Sequence, residues 1–230
     1  MSSQPKVAIV DYGMGNLFSV KHACDHVGID AELTTSSEAV RAADAAIVPG
    51  VGAFGDAMST LRTLGMVDAL REVAEEGKPI FGICLGLQLL MTESYEFGTH
   101  PGLGLVEGTV EFFGEPHDGQ RRLKVPQLGW NSLYRSGEGD PWADTWLRGQ
   151  RDGVPMYFVH SYYVKPADDA TRIATTRYGD VEFCSAVKYR NVFACQCHPE
   201  RSGPDGLRVY EEFARDLRRR SGVEEESPDV

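Results

Sequence analysis

The sequence predicts an α/β fold, in which a doubly wound, mostly parallel sheet carries an additional mixed or antiparallel β extension. In the first half, short apolar runs alternate with helix-like segments, and this alternation is typical of β-α-β units. After Glu107, the pattern changes to short β-like runs with turn residues between them. The length of 230 residues suits one medium-sized domain with a core large enough to support an enzyme site.

The elements of the first half follow one another in a regular order. Apolar runs bounded by turn residues indicate buried parallel strands, and the four candidates are KVAIVDYG, AELTT, AAIVPG and KPIFGIC. A helix is expected to begin at Asn16, and the later helix-like segments are AMSTLRTL and VDALREVAEEG. This order predicts a flavodoxin-like arrangement.

The second half predicts further strands and one closing helix. The β-like runs are VEFF, GWNSLYR, MYFVHSYYV, RIATTRYG, VEFCSAVKY and VFACQCH. An amphipathic helix is expected from about Asp205 to Arg220, with arginines in its last turn, where the helix dipole favours cations. We therefore assign residues 1–220 to one domain and residues 221–230 to an acidic, disordered tail.

Composition and charge exclude several functional classes. The net charge of -11 has the wrong sign for general attraction to nucleic acid or anionic membranes. No apolar run approaches the roughly 18 residues of a membrane span, and the N-terminus lacks a signal-peptide pattern, so we expect a cytoplasmic protein. Only six of the 23 basic residues are lysines, a balance that fits either adaptation to high salt or an acidic mesophilic protein.

The five cysteines, at positions 24, 84, 184, 195 and 197, do not form a disulfide framework. Their number is odd and their density is low, so we expect free thiols in a reducing compartment. Cys195 and Cys197 form a C-x-C pair without further matching ligands, which is a weak zinc signal, and we expect them to pack in the core. No metal and no cofactor is predicted.

Cys84 lies in the pattern of a nucleophile elbow. The segment GICLG, residues 82–86, places it between two glycines, after an apolar strand and before the helix-like segment LGLQLLM. A sharp strand-to-helix turn of this kind raises a side chain into a cleft, and flanking glycines relieve the crowding. The helix N-terminus favours a thiolate. Taken alone, the pattern equally fits a buried structural cysteine.

His198 and Glu200 supply the partners that such a nucleophile needs. They lie in CHPE, residues 197–200, at the end of the apolar run NVFACQC. Alternation along an extended strand would put both side chains on one side, where the imidazole accepts the thiol proton and the carboxylate orients the ring. CHPE alone fits a strand cap, but together with the elbow it predicts a Cys-His-acid site.

Two glycine-rich turns follow predicted strands, DYGMGNLFSV at residues 11–20 and PGVGAFGDAM at residues 49–58. Residues 50–55 match G-x-G-x-x-G, a pattern that can cradle a pyrophosphate. This segment follows the third predicted strand instead of the first, so a dinucleotide site is disfavoured.

The second of these turns fits an oxyanion hole. The peptide groups of Gly50, Val51 and Gly52 are expected to lie beside Cys84 and to act together with the N–H of Leu85. Glycine there allows a peptide to change direction. Tight loop geometry remains the structural alternative for both glycine-rich turns.

The GxCxG elbow, followed much later by HPE, resembles the class I glutamine amidotransferases. In that family, Cys, His and Glu hydrolyse the side-chain amide of glutamine. The resemblance implies that Cys84 is the nucleophile, that His198 acts as general base and then as acid, and that Glu200 orients the ring. It also implies a covalent glutamyl thioester intermediate.

Six motifs are similar, in order and spacing, to one branch of that family, the glutaminase subunits that deliver ammonia to a cyclase subunit in histidine biosynthesis. The motifs are DYGMGN, PGVGAFG, GICLGLQLL, LKVPQLGWN, YFVHSYY and CHPERSG, and the likeness covers nearly the whole chain, residues 6 to about 217. DYGMGN and LGWN discriminate this branch. The resemblance implies a heterodimer with a (β/α)8 barrel that uses ammonia to form imidazole glycerol phosphate.

The same resemblance implies which residues meet glutamine and the cyclase. Gly52 and Gln88 would hold glutamine, and the backbone around Ser161 and Tyr162 would fix its amino-acid end. The residues expected at or near the partner interface are Asn16, Lys124, Gln127, Trp130, Asn131, Tyr157 and Arg201. A position in the hydrophobic core is the alternative for the two aromatic rings.

Two positions depart from the family pattern, which usually has an aromatic residue in place of Cys197 and a lysine in place of Arg201. Neither removes a catalytic residue, but a guanidinium changes the donor geometry of a partner contact. Two other functions stay open: a glutaminase subunit of another pathway, such as pyridoxal phosphate synthesis, and a non-catalytic binding module with a redox-sensitive cysteine. DYGMGN and LGWN disfavour the first, and the intact Cys-His-Glu set disfavours the second.

Overall fold

The fold is built on a sheet whose first half is parallel. The computed structural model describes residues 4–222. The elements of the first half are β1 (Lys6–Val10), α1 (Leu17–His26), β2 (Asp30–Thr34), α2 (Ser37–Ala42), β3 (Ala45–Gly50), α3 (Phe54–Thr63), α4 (Met66–Glu75), β4 (Ile80–Cys84) and α5 (Leu85–Leu89). Strands β2, β1, β3 and β4 lie side by side in that order and are parallel, as a doubly wound sheet requires.

The second half adds antiparallel strands and a long closing helix. Its elements are β5 (Glu93–Ser94), β6 (His100–Pro101), β7 (Gly108–Phe112), β8 (His117–Asp118), β9 (Arg121–Arg122), β10 (Gln127–Arg135), β11 (Val154–His160), β12 (Tyr162–Pro166), β13 (Arg172–Tyr178), β14 (Val181–Tyr189), β15 (Val192–Cys195), α6 (Gly203–Arg220) and two 3-10 helices, Asp169–Thr171 and Pro199–Arg201. β15 pairs with β4 in parallel and with β14 in antiparallel orientation, so it joins the two halves of one mixed sheet. The predicted fold class is confirmed.

The structure differs from the sequence prediction at two strand ends. The run MYFVHSYYV divides at Ser161 into strands with different neighbours: β11 pairs with β10, whereas β12 pairs with β7 and β14. The run VFACQCH leaves the sheet after Cys195, and the 3-10 helix Pro199–Arg201 follows. Apolar residues lie on both sides of each break, so the hydrophobic pattern alone does not reveal it.

Apolar side chains cover both faces of the parallel strands. On one face, α6 buries Tyr210 and Phe213, whose rings lie 5.5 and 5.7 Å from that of Phe81 on β4. Trp146 completes this cluster, with its ring 4.4 Å from that of Phe213. On the other face, α3 and α4 contribute a second buried cluster that includes Met58. Burial on both faces explains why these strands are continuous hydrophobic runs.

The expected acidic tail lies mostly outside the described residues. Ser221 and Gly222 make a turn after α6, and residues 223–230 are not part of the described structure. Within residues 4–222, no helix is both long enough and apolar enough to cross a membrane.

The turn that carries Cys84 depends on two glycines. A Cβ atom on Gly86 would lie 1.7 Å from the carbonyl oxygen of Val48 on β3, and one on Gly82 would lie 2.8 Å from the Cβ of Ala194. Both distances are far below van der Waals contact. Helix α5 can therefore begin this close to β3 only because Gly86 has no side chain.

We expect Gly86→Ala to destabilise the protein by about 3 kcal/mol, because the new methyl group meets backbone atoms that cannot move aside. Gly55→Ala in α3 is the matched control, since its Cβ would meet only the side chain of His100. Alanine also favours a helix interior by about 1 kcal/mol. Urea unfolding followed by circular dichroism measures both variants, and equal stabilities would contradict this account of the turn.

Candidate active site

Three strands deliver the predicted catalytic residues to one edge of the sheet. The register of β3 and β4 places Gly50 opposite Cys84, and that of β4 and β15 places Ile83 opposite Cys195. All three strands are parallel, so their carboxyl ends lie at the same edge. His198 follows three residues after Cys195 and therefore reaches the neighbourhood of Cys84 without a long connection.

Cys84 has the strained backbone of a nucleophile elbow. Its φ of 55° and ψ of -107° lie in a region that residues other than glycine rarely adopt. The side chain is only 4% exposed, and its thiol donates a hydrogen bond to the carbonyl oxygen of Val159 at 3.7 Å. The turn thus holds the sulfur at a defined point between α5 and β11.

His198 and Glu200 form a buried, hydrogen-bonded pair. The imidazole Nδ1 lies 2.8 Å from Glu200 Oε1, and the two side chains are 3% and 1% exposed. The strand alternation expected for this pair does not occur. Instead, the chain leaves the sheet, and the 3-10 helix Pro199–Arg201 turns the carboxylate back towards the ring.

The environment of His198 favours its charged form. Burial disfavours the charge, but the negative charges of Cys84 and Glu200 outweigh it and raise the pKa of His198 to about 11. Glu200 holds the Nδ1 side of the ring, which leaves Nε2 to exchange a proton with the sulfur. The arrangement supports a thiolate-imidazolium pair, the activated state of a catalytic cysteine.

A cavity of about 240 Å³ lies against the Cys84 turn. Its wall contains six of the residues predicted for the oxyanion hole and for glutamine, namely Val51, Gly52, Leu85, Gln88, Ser161 and Tyr162. Gly50 lies beside this wall, where a Cβ atom would be 2.0 Å from the hydroxyl oxygen of Tyr12. The structure therefore brings the predicted oxyanion and substrate residues together around one cavity.

The first glycine-rich turn supports the second. The hydroxyl group of Tyr12 donates a hydrogen bond to the carbonyl oxygen of Pro49 at 2.6 Å, and burial raises the pKa of Tyr12. Met14 packs against Gly52, whose φ of 126° is accessible mainly to glycine. The segment DYGMGN thus braces the turn that faces the cavity.

Glu96 is a cavity residue that no sequence motif indicated. Its carboxylate lines the cavity and accepts a hydrogen bond from the backbone N–H of Phe54, at the start of α3. It lies in the segment SYEFG, which carries no recognisable pattern. Only the path of the chain around the cavity identifies it.

His160 also lies in the cavity wall. Its Nδ1 lies 2.7 Å from the carbonyl oxygen of Tyr162, and because a carbonyl only accepts, Nδ1 carries the proton. Burial lowers the pKa of His160 to about 3, so the ring is neutral at physiological pH. Within residues 4–222, its Nε2 has no hydrogen-bond partner.

Part of the expected partner interface forms an aromatic patch of the exposed Trp130 and Arg201 and the half-buried Tyr157. Trp130 is 60% exposed, which excludes the core position considered above. The ring of Tyr157 lies 6.2 Å from that of Trp130 and 4.6 Å from the guanidinium carbon of Arg201. Of the other expected interface residues, Lys124 is exposed, Asn16 and Asn131 are half-buried, and Gln127 is buried.

Another cavity, of about 690 Å³, lies elsewhere and has a different character. Two of its acidic residues, Glu212 and Asp216, pair with arginines, and none of the described residues that line it is a cysteine, serine or histidine. No group of three or more His, Cys, Asp or Glu that could hold a metal ion occurs within residues 4–222. Cys195 and Cys197 are buried, and the Cys195 thiol donates to the carbonyl oxygen of Cys197 at 3.6 Å.

The chain is similar to known proteins both in sequence and in fold. The family model for glutamine amidotransferase class-I matches residues 8–217. The chain is 44% identical over 208 residues to the imidazole glycerol phosphate synthase subunit HisH of Rhodopirellula baltica, covering 90% of this chain and 96% of that protein. It is 44% identical over 209 residues to the HisH subunit of Geobacter sulfurreducens, with 90% and 97% covered. Its fold is similar to the structure of PurLQS from Thermotoga maritima, with a TM-score of 0.69, 20% identity, and 94% and 100% covered.

We expect the neutral state of His160 to make the protein less stable in mild acid. The folded-state pKa of about 3 lies below the unfolded value, so from about pH 6.5 downwards only the unfolded chain takes up this proton. The free energy of unfolding then falls by about 1.4 kcal/mol for each pH unit, until the pH reaches the folded-state pKa.

Urea unfolding of the wild type and of His160→Gln between pH 8 and 5 tests this expectation. The difference in unfolding free energy between the two proteins should change by about 2 kcal/mol between pH 6.5 and 5. His26→Gln is the control and should follow the wild type, because His26 is exposed before and after unfolding. Parallel curves for His160→Gln and wild type would rule out a buried neutral ring.

Proposed function

The chain belongs to the class I glutamine amidotransferase family, and on this basis we propose that it is the glutaminase subunit of an imidazole glycerol phosphate synthase in histidine biosynthesis. It hydrolyses glutamine to glutamate and ammonia and passes the ammonia to a cyclase subunit. The observation that carries the proposal is the buried His198–Glu200 pair beside the strained Cys84, at a cavity lined by residues of the family motifs.

Glutamine binds in the cavity with its carboxamide towards Cys84. Gln88 and the peptide groups around Gly52 hold the substrate near the reacting carbon, and the backbone at Ser161 and Tyr162 holds its amino-acid end. The carboxylate of Glu96 on the same wall suits the α-ammonium group of glutamine. The cavity thus offers polar groups to both ends of an amino acid.

The reaction proceeds in two halves. The Cys84 thiolate attacks the carboxamide carbon, and N–H groups of Leu85 and of the turn Gly50 to Gly52 receive the developing oxyanion. His198 gives its Nε2 proton to the leaving nitrogen, so ammonia departs and a glutamyl thioester remains. The neutral imidazole then takes a proton from water, the hydroxide attacks the thioester, and glutamate leaves as the thiolate is restored.

The product explains the need for a partner. Ammonia that escaped into water would be protonated to ammonium, which has no lone pair for attack, so a sealed route to the second subunit preserves its reactivity. The partner in this proposal is a cyclase with a (β/α)8 barrel, bound as a heterodimer partly through the aromatic patch. Such a biosynthetic role fits the cytoplasm, where the five cysteines, all free in the structure, stay reduced.

The turn from Gly50 to Gly52 gives the partner a means of control. Gly52 has a φ of 126° and Val51 is 40% exposed, so a change of peptide direction here moves an N–H group without displacing a core side chain. If the N–H groups point away from the oxyanion in the isolated subunit, glutamine is spared until the cyclase and its nucleotide ligand bind. The turn would then couple the two active sites.

We expect weak glutaminase activity for the isolated chain and strong stimulation by a cyclase subunit with its nucleotide ligand. Cys84→Ala should abolish hydrolysis while leaving assembly intact, because the thiolate is removed and the fold is not. Glutamate release and size-exclusion chromatography measure the two properties. Unchanged turnover by Cys84→Ala would remove the nucleophile assignment. Failure of a glutamine analogue to label Cys84, even with the cyclase present, would favour a non-catalytic binding module.

We expect Trp130→Ala to raise the Kd for the cyclase about thirtyfold, since exposed aromatic residues of a patch next to Arg often carry about 2 kcal/mol of binding energy. Tyr134→Ala is the matched control, because Tyr134 is another exposed aromatic residue on β10, 47% exposed but outside the expected interface. Isothermal titration calorimetry with the purified cyclase gives both values. A Kd unchanged by Trp130→Ala would place the interface elsewhere.

A further inference from the structure

The sulfur of Cys84 has a polar neighbour outside the Cys-His-Glu set. Gln196, two residues before His198, is completely buried, and its Nε2 lies 3.5 Å from Cys84 Sγ. The backbone N–H of Gln196 donates to the carbonyl oxygen of Ser185 at 2.9 Å, which fixes the residue at the end of β15. The backbone of Gln196 is therefore held in place, and its side chain reaches the sulfur of Cys84.

The direction of the Gln196 amide follows from its other neighbour. Gln88 Nε2 lies 3.0 Å from the carbonyl oxygen of Tyr162 and 3.2 Å from Gln196 Oε1. Because the Tyr162 carbonyl only accepts, Gln88 must present its NH2 group there, and the second hydrogen of that group reaches Gln196. Reversing the Gln196 amide would bring two NH2 groups together, so this amide presents its donor to the sulfur.

We propose that Gln196 is a fourth functional residue of the catalytic site, which favours the thiolate of Cys84 through an N–H···S hydrogen bond. The proposal deepens the proposed function and rests on Cys84 being its nucleophile. Hydrogen bonds to charged groups are about twice as strong as neutral ones, so the donor favours the anion over the thiol. The carbonyl oxygen of Val159, which accepts a hydrogen bond from the thiol, favours the S–H form, and the Gln196 donor opposes this effect.

This contribution differs from that of His198. The imidazole gives up its proton during the reaction, whereas the neutral amide keeps its hydrogen throughout. Gln196 therefore acts at two points: it stabilises the thiolate before attack, and it stabilises the same thiolate when that group is expelled from the second tetrahedral intermediate. Loss of the donor should slow both halves of the reaction without weakening the binding of glutamine.

The test measures how fast iodoacetamide alkylates Cys84 as a function of pH, in the wild type and in Gln196→Met, with the modified peptide identified by mass spectrometry. Methionine has a similar length but no donor. We expect the pH at which the alkylation rate is half-maximal to move up by about one unit. Background from Cys24 and Cys184 is low, because burial raises the pKa of each thiol to about 12.

Gln150→Met is the matched control. Gln150 is also a buried glutamine, 2% exposed, but its amide donates to the carbonyl oxygen of Asp205, at 2.6 Å, instead of to Cys84. Its alkylation profile should equal that of the wild type. Glutamine hydrolysis with the cyclase present should show a kcat about tenfold lower for Gln196→Met and an unchanged KM.

An unchanged pH profile for Gln196→Met would overturn the proposal, even if activity were lost, because a purely structural role does not move the profile. If that variant does not fold, Gln88→Met gives the same readout, since it removes the group that orients Gln196. An upward shift then supports the proposal and no shift overturns it. A shifted profile in a protein without glutaminase activity would reject the proposed function and leave the Gln196 contact standing.

Discussion

The close approach of α5 to β3 is the constraint on which the catalytic site depends. The position of a Cβ atom on Gly86 lies 1.7 Å from the Val48 carbonyl oxygen, so the helix must start where no side chain separates it from the strand. The chain can enter the helix at this point only by a sharp turn, and Cys84 therefore adopts a positive φ of 55°. A conformation of this kind costs about 1–3 kcal/mol and persists because the surrounding packing fixes it. Because the backbone is fixed in this conformation, it sets the position of the Cys84 sulfur.

Two buried histidines near Cys84 differ in protonation state: His198 is charged and His160 is neutral. His198 faces the sulfur of Cys84 and the carboxylate of Glu200, and these negative groups keep its ring charged despite burial. His160 is buried to a similar degree, but its partner is the carbonyl group of Tyr162, which carries no net charge, and its ring stays neutral. Burial by itself therefore does not decide the protonation state. The partner of each ring decides it, and that partner follows from where each strand ends.

The sequence predicted the parts of the site that local geometry controls. Glycines beside a cysteine, at a strand-to-helix boundary, indicate a tight turn wherever they occur, and the structure has that turn. The pairing of His198 with Glu200 was predicted from strand alternation, yet the pair forms because Pro199–Arg201 is a 3-10 helix. Glu96 and Gln196 carried no signal, because Glu96 reaches the cavity, and Gln196 the sulfur of Cys84, through contacts between segments that are distant in the sequence. Such long-range placement is not encoded in the spacing of residues along one segment.

The aromatic patch and the catalytic pair share a short segment of chain. The backbone N–H of His198 donates to the carbonyl oxygen of Tyr157 at 2.8 Å. The hydroxyl of Ser202 accepts from the N–H of Tyr157 at 2.9 Å and donates to the carbonyl of His198 at 2.7 Å. A protein that binds Tyr157 and Arg201 therefore touches the segment that positions His198 and Glu200. Coupling between a partner and the site then requires no long pathway. It requires only that the segment from His198 to Ser202, or the turn from Gly50 to Gly52, has two arrangements. The partner must then bind one arrangement more tightly than the other.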